Sequence, residues 1–536
     1  MYDYVIKNGI LVDGTRAKPY PANVCICGGT IVEITTDSSV KCKEVLDASG
    51  KIVSPGFIDI HTHSDPARLI SGLAESKVHQ GITLELGGNC GISIVPTPYD
   101  NVRREELLTD MSELISIQRN LWHSEAHDIA ELAQRINSDR DTIHFAMLVG
   151  HNAIRGCVVG YDRRNATPKE MEQMKELLDK MIKQGAFGLS LGLVYAPGIF
   201  CDTEELIQLA HIVKKNGAML AVHIRDECEK IFEALDEMFQ VARVTGVHLH
   251  ISHLKLMGRE QWGLSGEVLG RIRQAQAEGL HITADQYPYD ASSSTLNRLV
   301  PNWAHAGGVR AMLDRLSDPG QRKRIDPEIA AEIARRGGSC YLRITYTGSN
   351  IPEIEGLTID QIAVKWGMSE EDTIVRLLLA CDGSVGIISH SICQDDVERI
   401  LRELDVAVGS DGSSFSLDPA LVPGKPHRRH YGCFPLFLET VRERSLMPIE
   451  DAVYKITGFP AKIMGIHDRG ILRAGMAADI TIFDFEHVRD CTTYNNPFVK
   501  PQGIEYVFVS GVPVVYDGAL TNARNGRFIL SSFADK

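Results

Sequence analysis

Short apolar strands alternate with amphipathic helices through the middle of this 536-residue chain, and eight such strands can be counted in order. They read FIDIHTH, ITLELGGN, HFAMLVG, AFGLSLGL, AMLAVHI, HLHISHL, HITADQY and DVAVGSD. Apolar strands joined through helices build a parallel sheet covered on both faces. Eight of them predict an α/β fold closed as a TIM-like (β/α)8 barrel, with chemistry at the C-terminal ends of the strands. One helical unit shows the local grammar. Thr167, Pro168 and Glu170 form a capping box with proline at the first helical position. Met171, Met174, Leu177, Leu178 and Met181 then recur at helical spacing as a core stripe, and Gly185 ends the helix.

The two ends of the chain read differently. Segments such as VIKNGILVDG and NVCICGGTIVEI, then ADITIFDF and EYVFVSGVPVVYDG, are strands separated by Asn-Gly, Gly-Gly and Ser-Gly turns. Residues 1–54 and 471–536 are therefore expected to form one small sheet domain flanking a barrel over 55–470. The stretch from about 290 to 400 is too long for a loop and is expected to fold as an insertion over the barrel mouth. A net charge of −14, from 56 basic and 70 acidic residues, argues against nucleic acid as a partner. No apolar run approaches the roughly 18 residues of a membrane span, and MYDYVIKNGI has no signal-peptide pattern. Twelve scattered cysteines without a CxxC fit reduced thiols. These features point to a cytoplasmic protein with no membrane partner, in a form compatible with a homo-oligomer.

Side chains at the strand ends carry the functional reading. The first strand ends in His61-Thr62-His63, whose imidazoles share one face because strand side chains alternate. The second runs into Gly87-Gly88-Asn89-Cys90-Gly91, where the glycines suggest a tight turn or a ligand that comes close to the backbone. His223, His253 and Asp411 close the fifth, sixth and eighth strands. Imidazole, thiolate and carboxylate are the donors zinc takes. Convergence of these groups at one rim predicts a metal site. His151, His248, His250 and His281 are read as ordinary structural histidines.

The segments PGFIDIHTHSD (55–65), GNCGISIVP (88–96), LVGHNAIR (148–155), GAFGLSLGLVYAPG (185–198), HIRDE (223–227), ISHLK (251–255), DQYPYDASSS (285–294), GSDG (409–412) and DRGILRAGMAADITIFD (468–484) span nearly the whole chain. On them the chain resembles the amidohydrolase superfamily and, within it, the N-acyl-D-amino-acid deacylases (D-aminoacylases). The resemblance implies a barrel with a small β-sandwich domain formed by both termini. It implies one tightly bound zinc on Cys90, His223 and His253, with His61, His63 and Asp411 around a second, weaker metal position. The fourth strand lacks the lysine that bridges two metals in many relatives, and the resemblance gives that role to Cys90. By the same match, Lys255, Tyr195, Tyr287, Ser293 and Arg429 are substrate-binding candidates. His427-Arg428-Arg429-His430-Tyr431-Gly432 stands where the family has His-Pro-Arg-x-Tyr-Gly, so the side-chain preference is the least supported part of the reading.

The expected activity is hydrolysis of the amide bond of small N-acyl-D-amino acids, with Asp411 as general base and then general acid. His61 and His63 either bind metal or position water, and both roles stay open. A cyclic-amide hydrolase of the dihydropyrimidinase or dihydroorotase type is the enzymatic alternative, but it calls for the absent lysine. A barrel that has lost catalysis and serves as a scaffold is the other.

Overall fold

Eight parallel strands close on themselves in the computed structural model, which describes residues 1–37, 39–70, 74–114, 126–348 and 350–532. They are β1 (Phe57–Asp59), β2 (Ile82–Gly87), β3 (His144–Met147, continued by Val149–Gly150), β4 (Gly188–Gly192), β5 (Met219–His223), β6 (His248–Ile251), β7 (Ile282–Gln286) and β8 (Val406–Val408). β3 joins the two halves: its first part pairs with β2 and its second with β4. The barrel closes where the segments beyond β8 and β1 meet. Thr62 bridges Gly412 in parallel, and Asp411 N donates to the His61 carbonyl at 2.8 Å. Closure therefore brings Asp411 beside His61, 350 residues earlier in the chain.

Alternation along the strands explains the two apolar layers. Ile58, Ile60, Leu84, Leu86, Ala146, Leu148, Met219, Ala221 and Ala407 fill the barrel interior, and Phe459, Ala461 and Met464 join the same cluster. Alternate residues such as Leu189, Leu191, Leu220 and Val222 pack against the surrounding helices. Among those helices, Pro168–Lys183 begins at the capping box of Thr167 and Glu170 and buries Met171, Met174, Leu178 and Met181. Each such side chain contributes about 1.5–3 kcal/mol by leaving water.

Nine strands from both termini hydrogen-bond into one sheet, with Ile480–Phe483 laid antiparallel on Ile52–Pro55 where the ends of the chain meet. Val24, Ile26, Leu46, Val53, Ile482 and Phe508 lie in its core. The tail residues 533–536 lie outside the described residues. Between β7 and β8, the antiparallel strands Ser292–Thr295, Gly386–Ser389 and Leu342–Tyr346 combine with helices around a core of their own. Helix Gln394–Leu401 packs back on β7 and β8. Among the described residues, no helix is long and apolar enough to cross a membrane.

Candidate metal and substrate site

Three side chains of the site stand on left-handed backbone: Cys90 (φ +53°), His253 (φ +36°) and Asp411 (φ +51°). Such conformations cost of order 1–3 kcal/mol each and persist only where the surroundings impose them. Here the surroundings are specific hydrogen bonds. His253 N donates to Asp285 Oδ1 at 3.0 Å, and Asp411 N to the His61 carbonyl at 2.8 Å. Beside Cys90, Gly91 N donates to Ser190 Oγ at 3.0 Å. Of the two readings of the glycines in this segment, the structure has the tight turn. A Cβ on Gly88 would lie 2.0 Å from the Leu148 carbonyl oxygen, and one on Gly91 2.6 Å from Gly192 N. They seat the Cys90 turn against β3 and β4, so the clearance belongs to the neighbouring backbone and not to a ligand.

The structure brings the six strand-end residues into two groups that share Cys90. In one are Cys90, His223 and His253; in the other are His61, His63, Cys90 and Asp411; within each, one donor atom per residue lies within 4.8 Å of the rest. Cys90 Sγ is 3.3 Å from both His253 Nε2 and His61 Nε2, and His253 Nε2 is 2.9 Å from His223 Nδ1. Asp411 Oδ1 is 3.0 Å from His63 Nε2 and 3.5 Å from His61 Nε2. Burial opposes ionisation of the Cys90 thiol, yet the His253 and His61 rings beside it hold its pKa well below the ordinary thiol range.

Two carboxylates behind the histidines had no role in the reading of the sequence. Glu227 Oε1 lies 3.1 Å from His253 Nδ1 and Oε2 lies 3.6 Å from His223 Nε2. Asp285 takes the Nδ1–H of His61 at 3.0 Å. Burial works against both acids, but Lys255 and the two rings lower Glu227, and His61 and His250 lower Asp285. Glu227 thus stands on the outer side of both rings, and His253 Nε2 and His223 Nδ1 face one another beside a sulfur. That arrangement suits a cation, and the sulfur–imidazole donor set suits zinc. Glu227 lies in HIRDE and Asp285 in DQYPY, but only through-space proximity assigns them partners.

Tyr195, Lys255, Ser293 and Arg429 line the cleft beside these donors, together with Ser292, Ser294, Arg298, Arg335, Arg336 and Tyr346 from the insertion. Tyr287 does not line it; its ring lies 5.2 Å from the Arg429 guanidinium carbon and 5.9 Å from Lys255 Nζ, and its hydroxyl has no partner. Lys255 is buried and bound to Glu227 at 2.5 Å. Arg429 Nη1 stands 2.8 Å from Asp411 Oδ2 without the alignment of a hydrogen bond, so its Nε and Nη1 protons remain unpartnered. Arg428 turns away, paired with Asp490 at 2.7 Å.

A closed eight-stranded barrel with cysteine, histidine and carboxylate donors at its mouth defines the amidohydrolase class, and residues 405–515 match the model of the Amidohydrolase family. The chain is 31% identical over 534 residues to the D-aminoacylase of Alcaligenes xylosoxydans, covering 99% of this chain and 98% of that one. It is 33% identical to the N-acyl-D-glutamate deacylase of the same organism, covering 98% and 96%. The crystal structure of N-acyl-D-glutamate deacylase from Bordetella bronchiseptica, complexed with zinc and a phosphonate inhibitor, superposes with a TM-score of 0.83 at 29% identity, covering 99% of each chain. The chain belongs to the D-aminoacylase family of amidohydrolases.

Proposed function

We propose that this chain hydrolyses the amide bond of small N-acyl-D-amino acids, using zinc and releasing a carboxylate and a free D-amino acid. One observation carries the reading: Cys90 Sγ stands 3.3 Å from the inner nitrogens of two histidines whose outer nitrogens are held by carboxylates. The preference for the D form rests on the named relatives.

Cys90, His223 and His253 would hold the ion tightly, with His61, His63 and Asp411 around a weaker second position. Zinc supplies Lewis-acid polarisation of the amide carbonyl and makes water more acidic. Asp411 is the proton carrier. Its carboxylate, held between His63 and Arg429, would take a proton from the attacking water and return it to the departing nitrogen. The water oxygen leaves in the new carboxylate and both its protons end on the amine side or in solvent. Arg429, with two unpartnered N–H groups, and Lys255 receive the substrate's own carboxylate. Tyr195 and Ser293 offer hydroxyls from the cleft wall, and Tyr287 supports Arg429 from below. β4, Gly188-Leu189-Ser190-Leu191-Gly192, has no lysine to bridge two metals, which weighs against a cyclic-amide hydrolase.

The test is acetate release by zinc-loaded protein from N-acetyl-D- and N-acetyl-L-amino acids, with hydantoin and dihydroorotate as cyclic competitors. Release from D substrates alone is expected. Ring opening without deacylation, or zinc-loaded protein inert to every substrate, overturns the reading.

A further inference from the structure

A line of polar side chains runs up the inside of the barrel to His61. Register sets Ala221 beside His250, His250 beside Thr283, and Asp285 beside Ala407. Neighbours paired in a parallel sheet point to the same face, and Ala221 and Ala407 belong to the apolar cluster that fills the interior. An imidazole, a hydroxyl and a carboxylate therefore occupy rows that other strands fill with aliphatic groups. Burying them is costly unless each is bonded. Each is. His248 Nε2 and His250 Nδ1 both lie 2.8 Å from Thr283 Oγ1. His250 Nε2 lies 2.9 Å from Asp285 Oδ2, and Asp285 lies 3.0 Å from His61 Nδ1.

The hydrogen bonds of this line converge on Asp285. A carboxylate only accepts, so His250 donates from Nε2 and His61 donates from Nδ1. Thr283 Oγ1 sits between His250 Nδ1 and His248 Nε2 and closes the line. The line ends at His61, whose Nε2 stands 3.3 Å from Cys90 Sγ.

We infer that His250 and Thr283 are positioning residues: by holding Asp285 against His61 Nδ1, they aim His61 Nε2 at the metal position. The purpose of this device rests on the zinc-hydrolase reading; its geometry does not. Without the His250 donor, Asp285 Oδ2 would lose that partner in a fully buried place and the carboxylate would be free to turn from His61.

Histidine-labelled, metal-free protein at neutral pH tests it by two-bond proton–nitrogen correlation, with His61 and His250 assigned by loss of signal in His61→Asn and His250→Phe. His61 should carry its proton on Nδ1 and His250 on Nε2. His250→Phe should loosen the orientation of His61 and weaken binding at the second, weaker zinc position, measured by chelator competition, about 10–100-fold. His250→Gln, whose amide can donate to Asp285, should recover most of that loss, and Thr283→Val should fall between. A His61 Nδ1 without its proton in the wild type, or unchanged affinity of the second zinc position in folded His250→Phe, overturns the inference. Should His250→Phe fail to fold, the wild-type tautomers and near-isosteric Thr283→Val decide. Expected tautomers in a zinc-loaded protein that deacylates nothing would instead overturn the proposed function and leave this inference standing.

Discussion

Lys77 Nζ lies 2.9 Å from Asp59 Oδ2 with both side chains fully buried, and the same ammonium donates to Ser410 Oγ at 2.7 Å and to the Gly412 carbonyl at 3.3 Å. One cation thus ties β1 to the segment beyond β8, gripping the residues on either side of Asp411. Asp59 also stands in register with buried Glu85, 3.4 Å from the same ammonium, so Lys77 separates two acids that would otherwise repel.

Lys77→Met should destabilise the protein by about 3–5 kcal/mol, because it leaves buried charge without its partner. Chemical denaturation at neutral pH measures this. Turnover should fall further than zinc content, since the strained Asp411 backbone loses its brace while Cys90, His223 and His253 keep theirs. Equal stability of variant and wild type would show that the seam does not depend on this ion pair.

Asp411→Asn keeps the shape of the side chain and removes its ability to take a proton. Zinc content should stay at the wild-type level while kcat falls about 10²–10⁴-fold, the range for a lost general acid–base group. Metal analysis beside steady-state kinetics makes the comparison. A variant with near wild-type kcat would move the proton transfer elsewhere.

Arg429→Lys retains the charge but replaces a planar fork with a point charge. One charge-assisted hydrogen bond contributes about 1.5–3 kcal/mol, so kcat/KM for N-acyl amino acids should fall about 10–100-fold. An N-acyl amine lacking the carboxylate should feel little of that loss. Equal losses on both compounds would contradict a carboxylate-binding role.

Glu170 caps helix Pro168–Lys183 and accepts two 2.8 Å hydrogen bonds from Arg164, which hold its carboxyl down to about 2. Its folded-state pKa lies below the ordinary 4.5, so its contribution is complete above that pH and fades as pH falls towards about 2. The stability gap between wild type and Glu170→Gln should therefore be present at neutral pH and narrow progressively through that window. The pair lies at the surface, with Arg164 exposed, so solvent screening should keep the gap modest. Urea denaturation at a series of pH values reads it, and a gap that widens on acidification would contradict the assignment.

The barrel was legible because its evidence is local. Met171, Met174, Leu178 and Met181 repeat at the helical period, Thr167 and Glu170 announce the helix start, and the eight strands are short apolar runs ending in turns. The positions of His61, His63, Cys90, His223, His253 and Asp411 at strand ends could be read the same way. The role of the glycines around Cys90 could not, because the atoms they avoid belong to Leu148 and Gly192. His248 and His250 looked like ordinary buried rings, since nothing in HLHISHL shows that Thr283 and Asp285 lie alongside.

Periodicity, caps and strand-end chemistry are properties of near neighbours in the chain, and these the sequence determined alone. Which acid steadies which imidazole was decided only in three dimensions. Glu227 reaches His223 and His253, Asp285 reaches His61, and Lys77 binds Asp59 to Ser410 because a closed barrel selects partners by strand adjacency and register. The meeting of β8 with β1, which completes the ring, joins residues that no spacing in the chain relates.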